Sequence, residues 1–137
     1  MLFGRAWSRL GAAFLLAFSI SLLNAGQPAK APVPKAIKLD PLGKGDLSLL
    51  GGPPDTSTMR AGLVVLEPGR SVGRHNTENY EELVIVLQGQ AEMRITGGQT
   101  MRLTSGWAAY CPSHTEHDVF NTGSTVLKYI YIVAEVK

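Results

Sequence analysis

From Arg60 to the C-terminus the apolar residues fall into short β-branched or aromatic runs. "RAGLVVLEPG", "EELVIVLQGQ", "AEMRIT", "QTMRLT", "WAAYCP", "HDVF" and "TVLKYIYIVAEV" succeed one another, with Gly, Pro, Asn or Ser between them every eight to twelve residues. No stretch shows the helical recurrence of an amphipathic α-helix. The rhythm predicts an all-β sandwich or barrel. "AEMRIT" and "QTMRLT" alternate apolar and polar positions, so each predicts a strand with one wet face. "TGGQT" between them supplies the glycines of a turn, and 91–104 reads as a hairpin. "LVIVL" (83–87) and "YIYIV" (129–133) are continuously apolar and predict strands buried on both faces. Residues 39–58 are too broken by Gly and Pro for a helix, but "LSLL" within them suits an edge strand.

The N-terminal pattern is different. "MLFGRAWSRL" carries Arg5 and Arg9 and no acid, and an uncharged apolar run, "LGAAFLLAFSISLL", leads to "NAGQPAK". A basic start, a short apolar core and a small-residue exit predict a secretory signal peptide over residues 1–25, cut after Ala25. An uncleaved membrane anchor is the alternative, but the apolar run is shorter than the ~20 residues a spanning helix needs. Any association with a membrane is expected through this segment alone. The mature protein is expected to be exported, periplasmic or secreted. "GQPAKAPVPKAIK" (26–38) reads as an extended Pro/Ala/Lys-rich linker, followed by a β-barrel domain over 39–137.

Charge changes the picture once the leader is set aside. The chain of 137 residues has 13 Lys and Arg against 11 Asp and Glu, and Arg5 and Arg9 account for the whole excess. No basic footprint remains to argue for nucleic acid. The single cysteine, Cys111, cannot form an intramolecular disulfide, although small exported domains often depend on such cross-links. A small domain with no staple and open sheet edges has reason to pair, and a homodimer is expected.

The candidate chemistry lies in two blocks. In the first, Gly69, His75, Thr77, Glu82 and Gly89 are separated by five, one, four and six residues. In the second, Gly106, Pro112, His114, His117 and Asn121 are separated by five, one, two and three. A carboxylate at the start of a buried strand requires a partner or a metal. His75 and Thr77 point the same way in an extended segment. From spacing alone, a solvated loop role for His75 and a satisfied core role for His117 stay open beside metal ligation.

Together, and 16 residues apart, the two blocks resemble the paired motifs of the cupin family. The resemblance covers about residues 60–134, and "HNTENYEE" is most similar to small single-domain cupins whose first motif reads HNT. It implies a double-stranded β-helix, or jelly-roll, barrel holding one divalent metal (Zn, Mn, Fe, Ni or Cu) on His75, Glu82 and His117. Thr77 stands where the family has a second histidine, and His114 where it has glycine. The ligand set is thereby reduced to three, a set that suits non-haem Fe(II) or Zn(II) with open positions. The Thr77 hydroxyl is left to hydrogen-bond a bound water or ligand. The interval to Gly89 selects Glu82 over Glu81, and His114 reads as a loop residue able to adopt positive φ. Cys111 reads as a small buried hydrophobe. Glu78, Asn76 and Asn79 are placed on the entrance loop, and Trp107, Tyr110 and Tyr80 in the core or at its rim.

Cupins host many chemistries, so three functional classes remain open. The barrel is a metal-dependent enzyme of oxygenase, isomerase or lyase type acting on a small molecule, a non-catalytic module for a metal or small ligand, or a barrel that has lost its metal. No particular catalytic residue is singled out. Export into an oxidising compartment weighs against a strictly Fe(II)-dependent dioxygenase.

Overall fold

The computed structural model of the protein describes residues 31–39 and 45–137. The leader read at 1–25 lies outside these residues, as do the first residues of the 26–38 linker. Residues 31–39 form no helix or strand, and Lys35 meets Asp55 at 3.6 Å. Among the described residues there is no helix, and hence none long and apolar enough to cross a membrane.

Among the described residues nine strands form two antiparallel sheets. They are β1 (Leu47–Gly51), β2 (Arg60–Leu66), β3 (His75–Asn76), β4 (Tyr80–Gln88), β5 (Gln90–Ile95), β6 (Thr100–Thr104), β7 (Ala108–Cys111), β8 (Glu116–Asn121) and β9 (Leu127–Glu135). One sheet runs β1-β2-β9-β4-β7 and the other β3-β8-β5-β6. This is an all-β jelly-roll barrel of the double-stranded β-helix kind. β1 is the edge strand foreseen in "LSLL", and β5 and β6 form the foreseen hairpin, turning at Gly97 in the left-handed region with φ +68°.

The core lies between the sheets. Val64, Val84, Val86 and Tyr129 of one sheet meet Ala91, Met93, Leu103 and Val119 of the other. Full burial of a side chain of valine or methionine size contributes about 1.5–3 kcal/mol. Gly89 links β4 to β5 with φ +86°, where a Cβ would stand 2.8 Å from the Val126 carbonyl oxygen. The turn tolerates no side chain there.

The two apolar runs are not buried on both faces, which corrects the expectation for 83–87 and 129–133. On β4, Glu82, Val84 and Val86 are buried, whereas Leu83 and Leu87 are exposed. Residues 130–134 of β9 are half-buried. Each strand packs against the opposing sheet on its inner side alone. The outer side of the five-stranded sheet carries Leu83 and Ile85 beside Ile132 and Ile130.

Candidate metal centre

His75 opens β3 and sits directly opposite His117 of β8 in the ladder. The pairing brings the imidazole centroids to 4.3 Å with planes tilted by 59°. Glu82 approaches from the other sheet, on the inward face of β4. Its Oε2 lies 3.1 Å from His117 Nε2 and 3.9 Å from His75 Nε2. One potential ligand atom from each of the three residues lies within 4.8 Å of the others. The barrel thus brings together all three residues that the sequence singled out.

The protonation pattern follows from the far side of each ring. His75 Nδ1 is 2.9 Å from the Gly73 carbonyl oxygen, and His117 Nδ1 is 3.4 Å from that of Thr115 and 3.5 Å from Cys111 Sγ. A carbonyl oxygen only accepts, so the proton of each neutral ring belongs on Nδ1 and the lone pair on Nε2. Two imidazole lone pairs and a carboxylate then converge with no donor among them. The contact between His117 Nε2 and Glu82 lacks hydrogen-bond geometry, and that nitrogen is buried without a hydrogen-bond partner among the described residues. Either a proton or a cation must relieve such a cluster. The donor set fits a divalent metal of the zinc or first-row transition series.

Without an ion, a proton on an imidazole Nε2 takes that part. Burial alone would raise the pKa of Glu82, but the imidazoles of His117 and His75 outweigh it and hold the carboxyl down at about 2. The Glu82 carboxylate in turn raises His75 above its ordinary value, against the opposing effect of partial burial. Cys111 is fully buried, and burial pushes its thiol up to about 11. It remains a neutral thiol against the His117 ring. Its contact with His117 was missed in the sequence, where the burial was foreseen.

Other positions resolve as follows. Glu81 leaves β4 on the outer face, where it accepts a hydrogen bond of 3.1 Å from the Tyr110 hydroxyl. His114 is an exposed loop residue at φ 56°, its N–H donating to the Glu78 carbonyl oxygen. Asn76 and Glu78 belong to the entrance turn, with the Glu78 N–H donating to Asn76 Oδ1 at 2.7 Å. Asn121 is buried, its amide donating to the Leu66 and Thr125 carbonyl oxygens.

Thr77 lines the cavity beside the triad, but its hydroxyl is already committed. It donates to the Pro112 carbonyl oxygen at 2.8 Å and accepts from the Thr115 N–H at 2.9 Å. Its single proton is therefore spent, and any hydrogen bond to a bound water or ligand falls to its second lone pair. Thr77 pins the 112–115 loop that leads into His117.

His75 and Glu82 of the triad line a cavity of about 300 Å³, small for a ligand pocket. Val64, Val72, Tyr129 and Tyr131 make its apolar wall, with Arg60 and Tyr80 at its margin. Arg60 carries no interval signature and was not singled out in the sequence. The period-two alternation of β2 holds the clue, since Arg60, Gly62 and Val64 share one face.

The profile of the cupin domain family matches residues 62–133, more than half of the chain. The chain belongs to the cupin family. No curated protein matches it. Among solved structures it resembles a conserved barrel domain protein of the Cupin 2 type from Salinispora arenicola, at 20% identity and a TM-score of 0.61, over 75% of this chain and 90% of that one. An RmlC-like cupin with a double-stranded β-helix fold from Methanocaldococcus jannaschii matches at 16% identity and a TM-score of 0.63, over 75% and 92%. The cupin domain of Schizosaccharomyces pombe Cnp3 matches at 20% identity and a TM-score of 0.59; there the chain covers 63% of its relative and 66% of itself is matched. At these identities the likeness extends to the fold.

Proposed function

We propose that the barrel binds one divalent metal ion on His75, Glu82 and His117 and presents it to a small molecule in the adjoining cavity. The observation that carries this reading is the buried His117 Nε2, aimed at Glu82 without a hydrogen bond, beside a second imidazole. Three protein ligands leave coordination positions for water or a chelating ligand. Such an ion supplies Lewis acidity and a docking point for oxygen donors. The protein's own residues orient the two imidazoles and wall the cavity with tyrosine and valine. Burial holds the Tyr129 hydroxyl in its protonated form, so it offers no base. Among the described residues lining the cavity, no carboxylate or imidazole stands apart from the triad. That favours a centre whose chemistry is confined to the metal and its ligand, or a binding module, over an enzyme with its own acid–base pair.

We place the chain with the small single-domain cupins whose first motif reads HNT, and we propose that it works outside the cytoplasm after loss of residues 1–25. The test of the metal reading is elemental analysis of the purified protein, with about one Zn, Mn, Fe, Ni or Cu ion expected per chain. Full occupancy retained in Glu82→Gln would refute it.

A further inference from the structure

We propose that the cavity ligand carries a carboxylate, gripped by Arg60 at the end of the cavity away from the metal triad. The inference rests on the metal reading above and assigns the ligand class of the same site. Arg60 pairs with Val133 across β2–β9, and Val133 pairs with Glu82 across β9–β4. The three share one rung and one face of the sheet. At 4.7–4.9 Å per strand, the Arg60 and Glu82 backbones stand about 10 Å apart. A ligand of a few carbons reaches from one side chain to the other.

The guanidinium is placed rather than loose. Its carbon lies 5.6 Å from the centroid of the Tyr80 ring, a cation–π contact, and among the described residues no acceptor claims its N–H groups. Its stem crosses Gly52, where a Cβ would stand 2.7 Å from Nε. Gly52 is buried with φ +89°, and its carbonyl oxygen accepts from the Asp55 and Thr56 N–H groups. A turn bare of side chain thus leaves the path of Arg60 open. Gly62 does the same for Tyr131, whose ring would meet a Cβ there at 2.6 Å.

Among the described residues Arg60 has no carboxylate partner. Its planar fork of donors matches a carboxylate bidentately. The charge count points the same way. A divalent ion less the Glu82 carboxylate leaves one positive charge in the cavity, and Arg60 adds a second. The preferred ligand is a small acid with a metal-chelating end and a distal carboxylate, separated by an apolar stretch that lies on Val64 and Tyr131.

The test is calorimetric titration of the zinc-loaded mature protein with malate and with 2-hydroxybutyrate. Both bear a 2-hydroxy acid end, but malate alone has the distal carboxylate. Malate is expected to bind about 10- to 100-fold more tightly. Arg60→Gln should abolish that preference with zinc content and melting temperature unchanged. Arg60→Lys, which keeps the charge and loses the fork, should retain part of it. Wild-type protein with full zinc and no preference for malate overturns the proposal, as does an undiminished preference in Arg60→Gln. Wild-type protein that takes up none of Zn, Mn, Fe, Ni and Cu sinks the metal assignment instead. The role of Arg60 is then read from the same pair of proteins without metal, where an unaltered affinity for malate in Arg60→Gln overturns it.

Discussion

Glu81 and Glu82 are chain neighbours on opposite faces of β4, one hydrogen-bonded to Tyr110 outside and the other 3.1 Å from His117 within. The geometry predicts opposite outcomes for one conservative substitution. Glu82→Gln keeps the shape but removes the charge opposing a cation, so metal affinity should fall by more than the roughly 10- to 100-fold that loss of an outer-shell partner costs. His117→Ala should do likewise. Glu81→Gln and His114→Ala should leave metal content within error of wild type, as read by elemental analysis after dialysis.

The metal-free protein should show a stability optimum set by the same cluster. The folded-state pKa of Glu82 is depressed to about 2 from 4.5, so its contribution is present above about pH 4.5 and is lost as pH falls toward 2. His75 is shifted the other way, above 6.5. Its contribution is present below pH 6.5 and is lost as pH rises through the raised value. Urea unfolding after chelation should therefore show the cluster's largest contribution between about pH 4.5 and 6.5. A Glu82→Gln chain should lack that feature. An identical pH profile in the two proteins would contradict the coupling.

Thr77 serves the loop. Thr77→Val removes a hydroxyl that satisfies the Pro112 carbonyl and the Thr115 N–H. The loss should destabilise the fold by about 1–3 kcal/mol. Metal bound per folded chain should stay near the wild-type value. Denaturant midpoints and metal analysis of the same samples separate the two effects.

We expect pairing through the outer face of the five-stranded sheet, where Leu83 is 37% and Tyr110 55% exposed and the two are register partners. Light scattering at micromolar concentration should give the mass of a dimer, and Leu83→Lys should shift it to that of a monomer. A wild-type monomer would remove the dimer and leave the barrel intact.

Native protein should begin near Gly26 and be recovered outside the cytoplasm, for the charge and hydropathy reasons given for residues 1–25. N-terminal sequencing that reads Met1 on a membrane-bound species would refute this.

The His75, Glu82 and His117 cluster was legible in the sequence because it depends on intervals. An interval of six intervening residues before Gly89 selects Glu82, and the second block marks His117. The position of every strand among the described residues except β3 was legible from its punctuation. Side-chain commitments were not. The hydroxyl of Thr77 is claimed by groups 35 and 38 residues away, and no local pattern announces them. Cys111 meets His117 because β7 lies beside β4, across from Glu82. The apolar runs misled for a related reason: a run of Leu, Val and Ile reports propensity, but which face is covered depends on the opposing sheet. Arg60 was hidden because its partners on the rung, Val133 and Glu82, come from strands distant in the chain.

The triad draws on both sheets, with His75 and His117 on the four-stranded one and Glu82 on the five-stranded one. An ion held there is a reversible rivet between halves of a chain that has a single cysteine and hence no disulfide of its own. The stabilisation it lends rises with the logarithm of free metal, reaching about 2.7 kcal/mol at a hundredfold excess over the dissociation constant. Proteolytic lifetime would then track the local supply of that metal. Starvation for the ion would shorten the life of the protein as well as silence its site, making abundance itself a gauge of metal supply.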